Sequence, residues 1–327
     1  MVPLRDFSIV IPAYNCAEQL ERLLQICDHL DYPKEHFEIL VVDDGSTDRT
    51  AQVALQHDVR LIQHPRNCGR VLTRETGAKQ AAFETLVFID ARLTIQPNLL
   101  RAASALGHLP LMGVGGSDKT RSIIDRVFYC IRRRVYRPYE PQHLYNKELW
   151  LKPEAFDGRP KGTGLLLIDR KMFLDCALAD KSQDVNDDTR LLRSIVSQAP
   201  ILRHTDLTFF YEHRQDWSEL LRHTFYRGPK FLDYYFSPGG PLFWHYCAGW
   251  ILLVAYGMLS LAFPILWLGI IAVPLVALMA GCFILAEEWR DIPFCMIFFP
   301  PIGLAFVSGI LFAQGARWLG ARHWIRH

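Results

Sequence analysis

The chain has 327 residues, half of them hydrophobic, and a formal net charge of +2. That length allows more than one domain, the near-neutral charge by itself implies little about partners, and the apolar fraction is high for a soluble protein. Eight cysteines lie without any close pair, so the sequence suggests neither a zinc site nor a disulfide framework and fits a reducing compartment.

The amino-terminal stretch MVPLRDFSIVIPAYN enters a strand directly, with no charged region ahead of a hydrophobic signal core. Phe7 to Ile11 is a predicted buried strand stopped by Pro12, and Cys16 to Leu30 has helical apolar spacing with Asn15 as its expected cap. The next stretch, FEILVVDDGSTDRT from Phe37 to Thr50, organises the rest. Its unalternating run Ile39 to Val42 reads as a parallel strand covered on both faces. Asp43 and Asp44 fall at its carboxyl end, the edge where open α/β sheets bind ligands. Gly45 permits a tight turn, and Ser46, Thr47 or Asp48 caps a helix beginning near Arg49. The plainer reading is that the two acids only cap that helix. A third strand, Val59 to Gln63, ends at His64 and Pro65, and the turn Asn67-Cys68-Gly69-Arg70 leads to a helix from about Leu72 to Phe83. A fourth strand, Leu86 to Ile89, again ends in an acid, Asp90. Strands alternating with helices indicate a doubly wound α/β sheet, and the lack of G-x-G-x-x-G after the first strand disfavours a dinucleotide fold.

Four stretches, IVIPAYN, VVDDGSTDRT, GRVLTRETGA and VFIDARL, follow one another in this order. Together they resemble the nucleotide-sugar-binding half of family 2 glycosyltransferases, and the likeness runs to about residue 230. The resemblance implies a GT-A type, doubly wound mixed sheet in which Pro12, Ala13, Tyr14, Asn15, Asp43 and Asp44 hold the nucleoside of a nucleotide-diphosphate sugar. Arg70 and Arg74 match the family's basic positions, where they would contact base or diphosphate bidentately, or else be solvated helix residues. Where the family has Asp-x-Asp, this chain has Asp90-Ala91-Arg92. Either Asp90 remains the ligand of a loosely held Mn²⁺ or Mg²⁺ against the diphosphate, or Arg92 neutralises that charge itself.

Further along, Gly162-Thr163-Gly164 before LLLIDR resembles the family's small-residue turn beneath the acceptor site, which places Thr163 beside acceptor or diphosphate. The stretch VNDDTRL from Val185 to Leu191 resembles the family's Glu-Asp motif, which implies Asp188 as catalytic base with Asp187 in the preceding acidic position. An inverting transfer needs such a carboxylate to accept the acceptor hydroxyl's proton; the alternative is an acid that merely starts a helix. Between Gly113 and Tyr139 lie Lys119, Arg121, Arg126, Arg132, Arg133, Arg134 and Arg137, with Ile123, Ile124, Val127, Phe128 and Ile131 at helical spacing. This segment reads as an amphipathic helix for an anionic membrane surface, a contact for acceptor phosphates, or a solvated basic helix.

The stretch WSELLRHTFYRGPKFLDYY from Trp217 offers Arg222 and Arg227 to acceptor or diphosphate, and aromatics suited to a membrane interface. It lacks the Gln-x-x-Arg-Trp of processive synthases, which points to one sugar per encounter. From Trp244 to Gly315 the only acids and strong bases are Glu287, Glu288, Arg290 and Asp291. Tyr246 to Ala286 is long enough for two spans with a turn near Pro264 or later, and Phe294 to Ala313 for a third despite Pro300 and Pro301. Three spans would carry Arg317, Arg322 and Arg326 away from the catalytic side, against the positive-inside tendency, unless the last segment is re-entrant.

The expected organisation is a cytosolic catalytic domain over 1–230, an interfacial linker over 231–245 and an α-helical transmembrane domain over 246–327 with two to three spans. The expected function is inverting, non-processive transfer of a sugar to a lipid-linked or membrane-proximal acceptor, with membrane lipids and not nucleic acid as partners. A polyprenyl-phosphate sugar synthase is the enzyme alternative. A non-catalytic nucleotide-sugar-binding membrane scaffold is the alternative that Arg92 prompts.

Overall fold

The computed structural model describes residues 4–116, 122–136, 139, 147–178, 187–212, 216–263, 269, 276, 279–286 and 288–319. The chain divides into two compact units. Unit 1 comprises Met1–Ser117, Tyr136–Gln183 and Asp187–His213, and unit 2 comprises Asp118–Val135, Asp184–Asn186 and Arg214–His327.

Unit 1 begins with β1 (Phe7–Ala13), α1 (Ala17–Cys27), β2 (Phe37–Asp43), α2 (Thr50–Ala54), β3 (Arg60–Gln63), α3 (Arg70–Gln80) and β4 (Thr85–Ile89). It continues with β5 (Leu93–Thr94), α4 (Leu99–Leu106), β6 (Leu111–Gly116), β7 (Glu148–Leu151), β8 (Leu165–Asp169), α6 (Arg170–Cys176), α7 (Asp187–Gln198) and β9 (Ile201–Tyr211); unit 2 supplies the α5 described below. The sheet order is β3-β2-β1-β4-β8-β6-β9-β5, with β7 paired to β9. The first four strands are mutually parallel, whereas β8 runs antiparallel to both β4 and β6, and β5 and β7 antiparallel to β9. The α/β sheet is therefore mixed.

Its centre is apolar because both faces are covered: Ile9, Val10, Leu40, Val41, Leu86 and Val87 have no exposed surface. Helix α1 buries Leu20, Leu23, Leu24 and Cys27, the i, i+3, i+4, i+7 stripe of an amphipathic helix. Pro12 does not stop β1 as expected. The β1–β4 ladder ends at Val10 opposite Phe88, but the β1–β2 ladder runs on to Ala13 opposite Asp43. Past Val10 the strand has a neighbour on one side only, where a proline is tolerated. The same sheet edge thus receives Ala13, Asp43, His64 and Asp90 at the ends of four parallel strands.

Unit 2 contains α5 (Ile123–Tyr136), α8 (Trp217–Tyr235), α9 (Phe243–Ala262) and α10 (Ile292–Trp318). The apolar stripe of α5, including Ile124, Val127 and Cys130, packs with Leu220 of α8 and Cys295, Phe299 and Ile302 of α10. Arg126 of α5 is ion-paired with the buried Asp291 and lies 4.6 Å over the Phe294 ring. The sequence expectation put α5 and Trp217 to Lys230 of α8 in the domain over 1–230 and the rest of α8 in the linker; both helices group with unit 2. Helix α8 lies along α10: Trp217 stacks on Phe298 at 4.9 Å, and Phe225 meets Phe312 at 5.7 Å. Past Phe225, Gly228 faces Gly309 so closely that a Cβ on Gly228 would lie 2.6 Å from the Ile310 nitrogen and the Phe306 carbonyl oxygen. Two helical stretches, Phe243–Ala262 and Trp289–Trp318, are long and apolar enough to cross a membrane. The expected turn near Pro264 and much of the span that would follow it lie outside the described residues.

Candidate functional site

The sheet edge of unit 1 is organised first by its loops. Asn15 has a φ of 45°, in the left-handed region that asparagine tolerates. Its N–H donates to Ser46 Oγ at 3.0 Å, and its Oδ1 accepts the Thr47 N–H at 2.8 Å. The expected capping of α1 by Asn15 does not occur, because this side chain is spent on the β2 loop. The start of α1 is served from that loop instead: the Ala17 N–H donates to Asp48 Oδ2 and the Cys16 N–H to Thr50 Oγ1. Pro12 and Ala13 end β1 beneath this junction, and Tyr14 leaves it 43% exposed, the one large ring of the loop open to solvent. Gly45 has a φ of 72°, and a Cβ there would fall 2.6 Å from the Arg66 Cα, so only glycine fits.

Asp43 and Asp44 are both buried. Asp43 accepts the Ser46 N–H at 3.0 Å and the Gln63 side-chain amide at 3.2 Å. Asp44 accepts the Cys68 N–H at 2.9 Å and the Gly69 N–H at 2.8 Å, and its Oδ1 is 2.8 Å from His64 Nδ1. Gly69 is the N-cap of α3 with a φ of 87°. Asp44 therefore fixes the turn from which Arg70 begins, a task the sequence reading did not assign to it.

From α3, Arg70 and Arg74 point one helical turn apart toward the start of α7. Arg74 Nη1 lies 3.0 Å from Asp188 Oδ1 and Arg70 Nη2 lies 3.2 Å from Asp188 Oδ2. Thr163 Oγ1 donates a hydrogen bond to Asp188 Oδ1. The next residue, Gly164, accepts the Asp90 N–H at 2.8 Å on its carbonyl. Five predicted positions, Arg70, Arg74, Asp90, Thr163 and Asp188, are thereby joined in one chain of contacts. Lys161, absent from the sequence reading, closes the loop that precedes this turn: its ammonium donates to the carbonyls of Phe156 and Asp157, and burial pushes its pKa down.

The Asp188 side chain is 29% exposed. Burial works to raise its pKa, but the positive charges of Arg70 and Arg74 and the Thr163 hydrogen bond outweigh burial and hold the carboxyl well below the usual carboxylate range. The Asp187 side chain lies outside the described residues. Asp90 is half-buried, and its Oδ1 accepts the Arg92 N–H at 3.0 Å; the Arg92 carbonyl accepts from the Glu212 N–H. Arg222 and Arg227 are exposed on α8 in unit 2.

Two places bear on metal binding. Ligand atoms of Asp44, His64 and Cys68 lie within 4.8 Å of one another, close enough to hold an ion. Thiolate and imidazole suit zinc better than Mn²⁺ or Mg²⁺, and Asp44 and His64 are already hydrogen-bonded, His64 Nε2 to Thr76 at 3.0 Å. Asp90 offers a carboxylate with only one oxygen turned to a backbone N–H. A hard cation bound by one carboxylate and substrate phosphates would fit there.

Residues 8–110 match the family model Glycosyl transferase family 2. The poly(ribitol-phosphate) beta-N-acetylglucosaminyltransferase TarS of Staphylococcus aureus (strain Mu50) is 34% identical over 162 residues, covering 45% of this chain and 28% of TarS. Glycosyltransferase AglE of Haloferax volcanii is 31% identical over 116 residues, covering 34% of this chain and 38% of AglE. The chain thus spans well under half the length of these relatives. The structure of the mannosyltransferase PcManGT from Pyrobaculum calidifontis in complex with GDP-Man and Mn²⁺ superimposes with a TM-score of 0.59 at 18% identity, covering 94% of this chain and 86% of that one. That likeness shows the fold, a mixed α/β sheet of GT-A type.

Proposed function

We propose, from the match of residues 8–110 to the model of glycosyl transferase family 2, that this chain moves a sugar from a nucleotide-diphosphate donor to a lipid-linked or membrane-proximal acceptor. Transfer occurs with inversion, one sugar per encounter, and unit 1 faces the cytoplasm. The observation that carries this reading is the Thr163–Gly164 turn, which binds Asp188 with its side chain and Asp90 with the adjoining carbonyl. The residue read as proton acceptor and the residue read as facing the diphosphate are thus tied to one turn, which supports this reading.

In this mechanism Pro12 to Asn15, with Asp43 and Asp44 behind them, receive the nucleoside, and the exposed Tyr14 ring offers it a face. Arg74 and Thr163 hold Asp188 Oδ1, and Oδ2, which pairs with Arg70, is the oxygen that takes the acceptor proton. Arg70 and Arg92 neutralise negative charge that grows on the leaving diphosphate. Asp90 would hold Mn²⁺ or Mg²⁺, which supplies further neutralisation of that charge. The two long apolar helices support an acceptor at a membrane, and eight cysteines that form no disulfide fit a cytoplasmic catalytic unit.

The test is nucleotide release from UDP-, GDP- and dTDP-sugars by detergent-purified protein with membrane-lipid extract, with and without Mn²⁺ or Mg²⁺. Lipid-dependent release that falls about 10²- to 10⁴-fold in Asp188→Asn supports the base. Turnover untouched by Asp188→Asn removes it. One observation favours a second reading: a carboxyl held this acidic is a weak base, which suits a polyprenyl-phosphate acceptor already ionised at neutral pH. Release that needs a phosphate-terminated lipid and tolerates Asp188→Asn would select that reading.

A further inference from the structure

We propose that Arg70 is a gate that closes the proton acceptor until the donor arrives, so that donor binding and base activation are one event. The inference rests on the reading of Asp188 as the base. It begins from an asymmetry around that carboxylate. Arg74 is 6% exposed at its side chain and Thr163 is 2% exposed, and both grip Oδ1. Oδ2 is paired with Arg70, whose side chain is 44% exposed and whose contact is the longer one, 3.2 Å. The buried pair fixes the carboxylate, and the exposed member covers the oxygen that has to take the proton.

Arg70 is the first residue of α3, directly after the Gly69 that Asp44 anchors, so its backbone is fixed while its guanidinium reaches into the open edge. A diphosphate carries more charge than a carboxylate and matches the guanidinium fork equally well. Once Arg70 turns to the diphosphate, Oδ2 loses its cation. Among the described residues, Arg74 and Thr163 then remain on Oδ1; Glu75, the acid of α3, is paired with Lys79 at 2.7 Å. Losing Arg70 raises the basicity of the carboxylate when the donor is in place. The acceptor hydroxyl then gives its proton to Oδ2, its oxygen bonds to the anomeric carbon, and the bond from that carbon to the diphosphate breaks with its electron pair leaving on the nucleotide. Donor therefore binds productively before acceptor.

The experiment needs no acceptor. Full-length, detergent-purified wild type, Asp188→Asn, Arg70→Gln and the double variant are titrated calorimetrically with UDP-N-acetylglucosamine, GDP-mannose and dTDP-glucose in Mg²⁺, and the tightest is carried forward. Wild type has to break the Arg70–Asp188 pair to bind, so Asp188→Asn binds the donor tighter, by about two- to five-fold for a partly exposed pair. Arg70→Gln binds more weakly, and adding Asp188→Asn to it brings no gain. Because the complex holds Asp188 at a higher pKa than the free protein, wild-type affinity also rises on acidification toward pH 4.5, and Arg70→Gln loses that slope. Equal or weaker donor binding by Asp188→Asn, or the same gain in the Arg70→Gln background, overturns the gate. Loss of the base itself reads out separately, as full turnover by Asp188→Asn in the release assay.

Discussion

Replacing Asp44 by asparagine separates anchoring from ligand contact, because the carboxylate already serves three donors with no nucleotide present. Asp44 Oδ1 takes Cys68 N–H and faces His64, and Oδ2 takes Gly69 N–H. An asparagine must present its NH₂ to one of these. With the amide oxygen in the Oδ1 place, the NH₂ meets the Gly69 N–H, which keeps only its second acceptor, Asn67 Oδ1 at 3.1 Å. With the oxygen in the Oδ2 place, the Cys68 N–H is stranded. One charge-assisted hydrogen bond is lost and the others become neutral, about 2 to 4 kcal/mol together. At roughly 2 to 4 °C per kcal/mol for a unit of this size, the apparent Tm falls by about 4 to 16 °C. Asp43→Asn is the internal control. Its partners are the Ser46 N–H and the Gln63 side chain, and Gln63 can turn its amide to offer oxygen to the new NH₂, so the loss stays below about 1 kcal/mol. The assay is thermal unfolding of the full chain without nucleotide. Equal shifts for the two variants, or an Asp44→Asn shift under about 2 °C, would refute the anchoring argument.

Two further outcomes follow from the same unit. Gly45→Ala combines a φ of 72° with a Cβ 2.5 Å from the Arg66 carbonyl carbon and should lose more than about 2 kcal/mol, whereas Gly107→Ala, at φ 61° with nothing within 4 Å, should lose only about 1; chemical denaturation compares them. His57 is 2.8 Å from Asp28 and 3.3 Å from Glu21; burial works to lower its pKa, but the two carboxylates outweigh it and raise it. A raised histidine stabilises most below about pH 6.5 and loses that contribution as pH climbs through the folded value. The Tm gap between wild type and His57→Gln should therefore be wide at pH 5.5 and narrow at pH 9.

What could be read from the sequence was local. Strands β1, β2 and β4 declare themselves because burial on both faces forces unbroken apolar runs, and the acids after β2 and β4 follow from where those runs stop. Strand β9 does not, since it buries Arg203 and His204; Arg203 is affordable inside because it donates to the Gly113 and Pro160 carbonyls, partners far away in sequence. The Arg74–Asp188 contact spans 114 positions, and no periodicity announces it. Resemblance brought both residues forward separately, while the geometry alone paired them. Asn15 was misjudged for a related reason: an asparagine before a helix has the chemistry of a cap, but a neighbouring loop had the better claim on it. The basic helix α5 likewise carries an apolar stripe that local pattern could not direct to a partner, and Leu220, Phe299 and Ile302 occupy it.

The approach of Gly228 to Gly309 has an evolutionary reading. Each glycine is blocked by the other helix's main chain: a Cβ on Gly228 meets the Phe306 carbonyl and the Ile310 nitrogen, and one on Gly309 meets the Phe225 carbonyl. A side chain in the way can shrink in a compensating mutation, but a peptide group has nothing to give up. Neither position can be rescued by change at the other. The crossing of α8 and α10 should therefore act as a fixed point in sequence space, around which the aromatic contacts on either side remain free to drift.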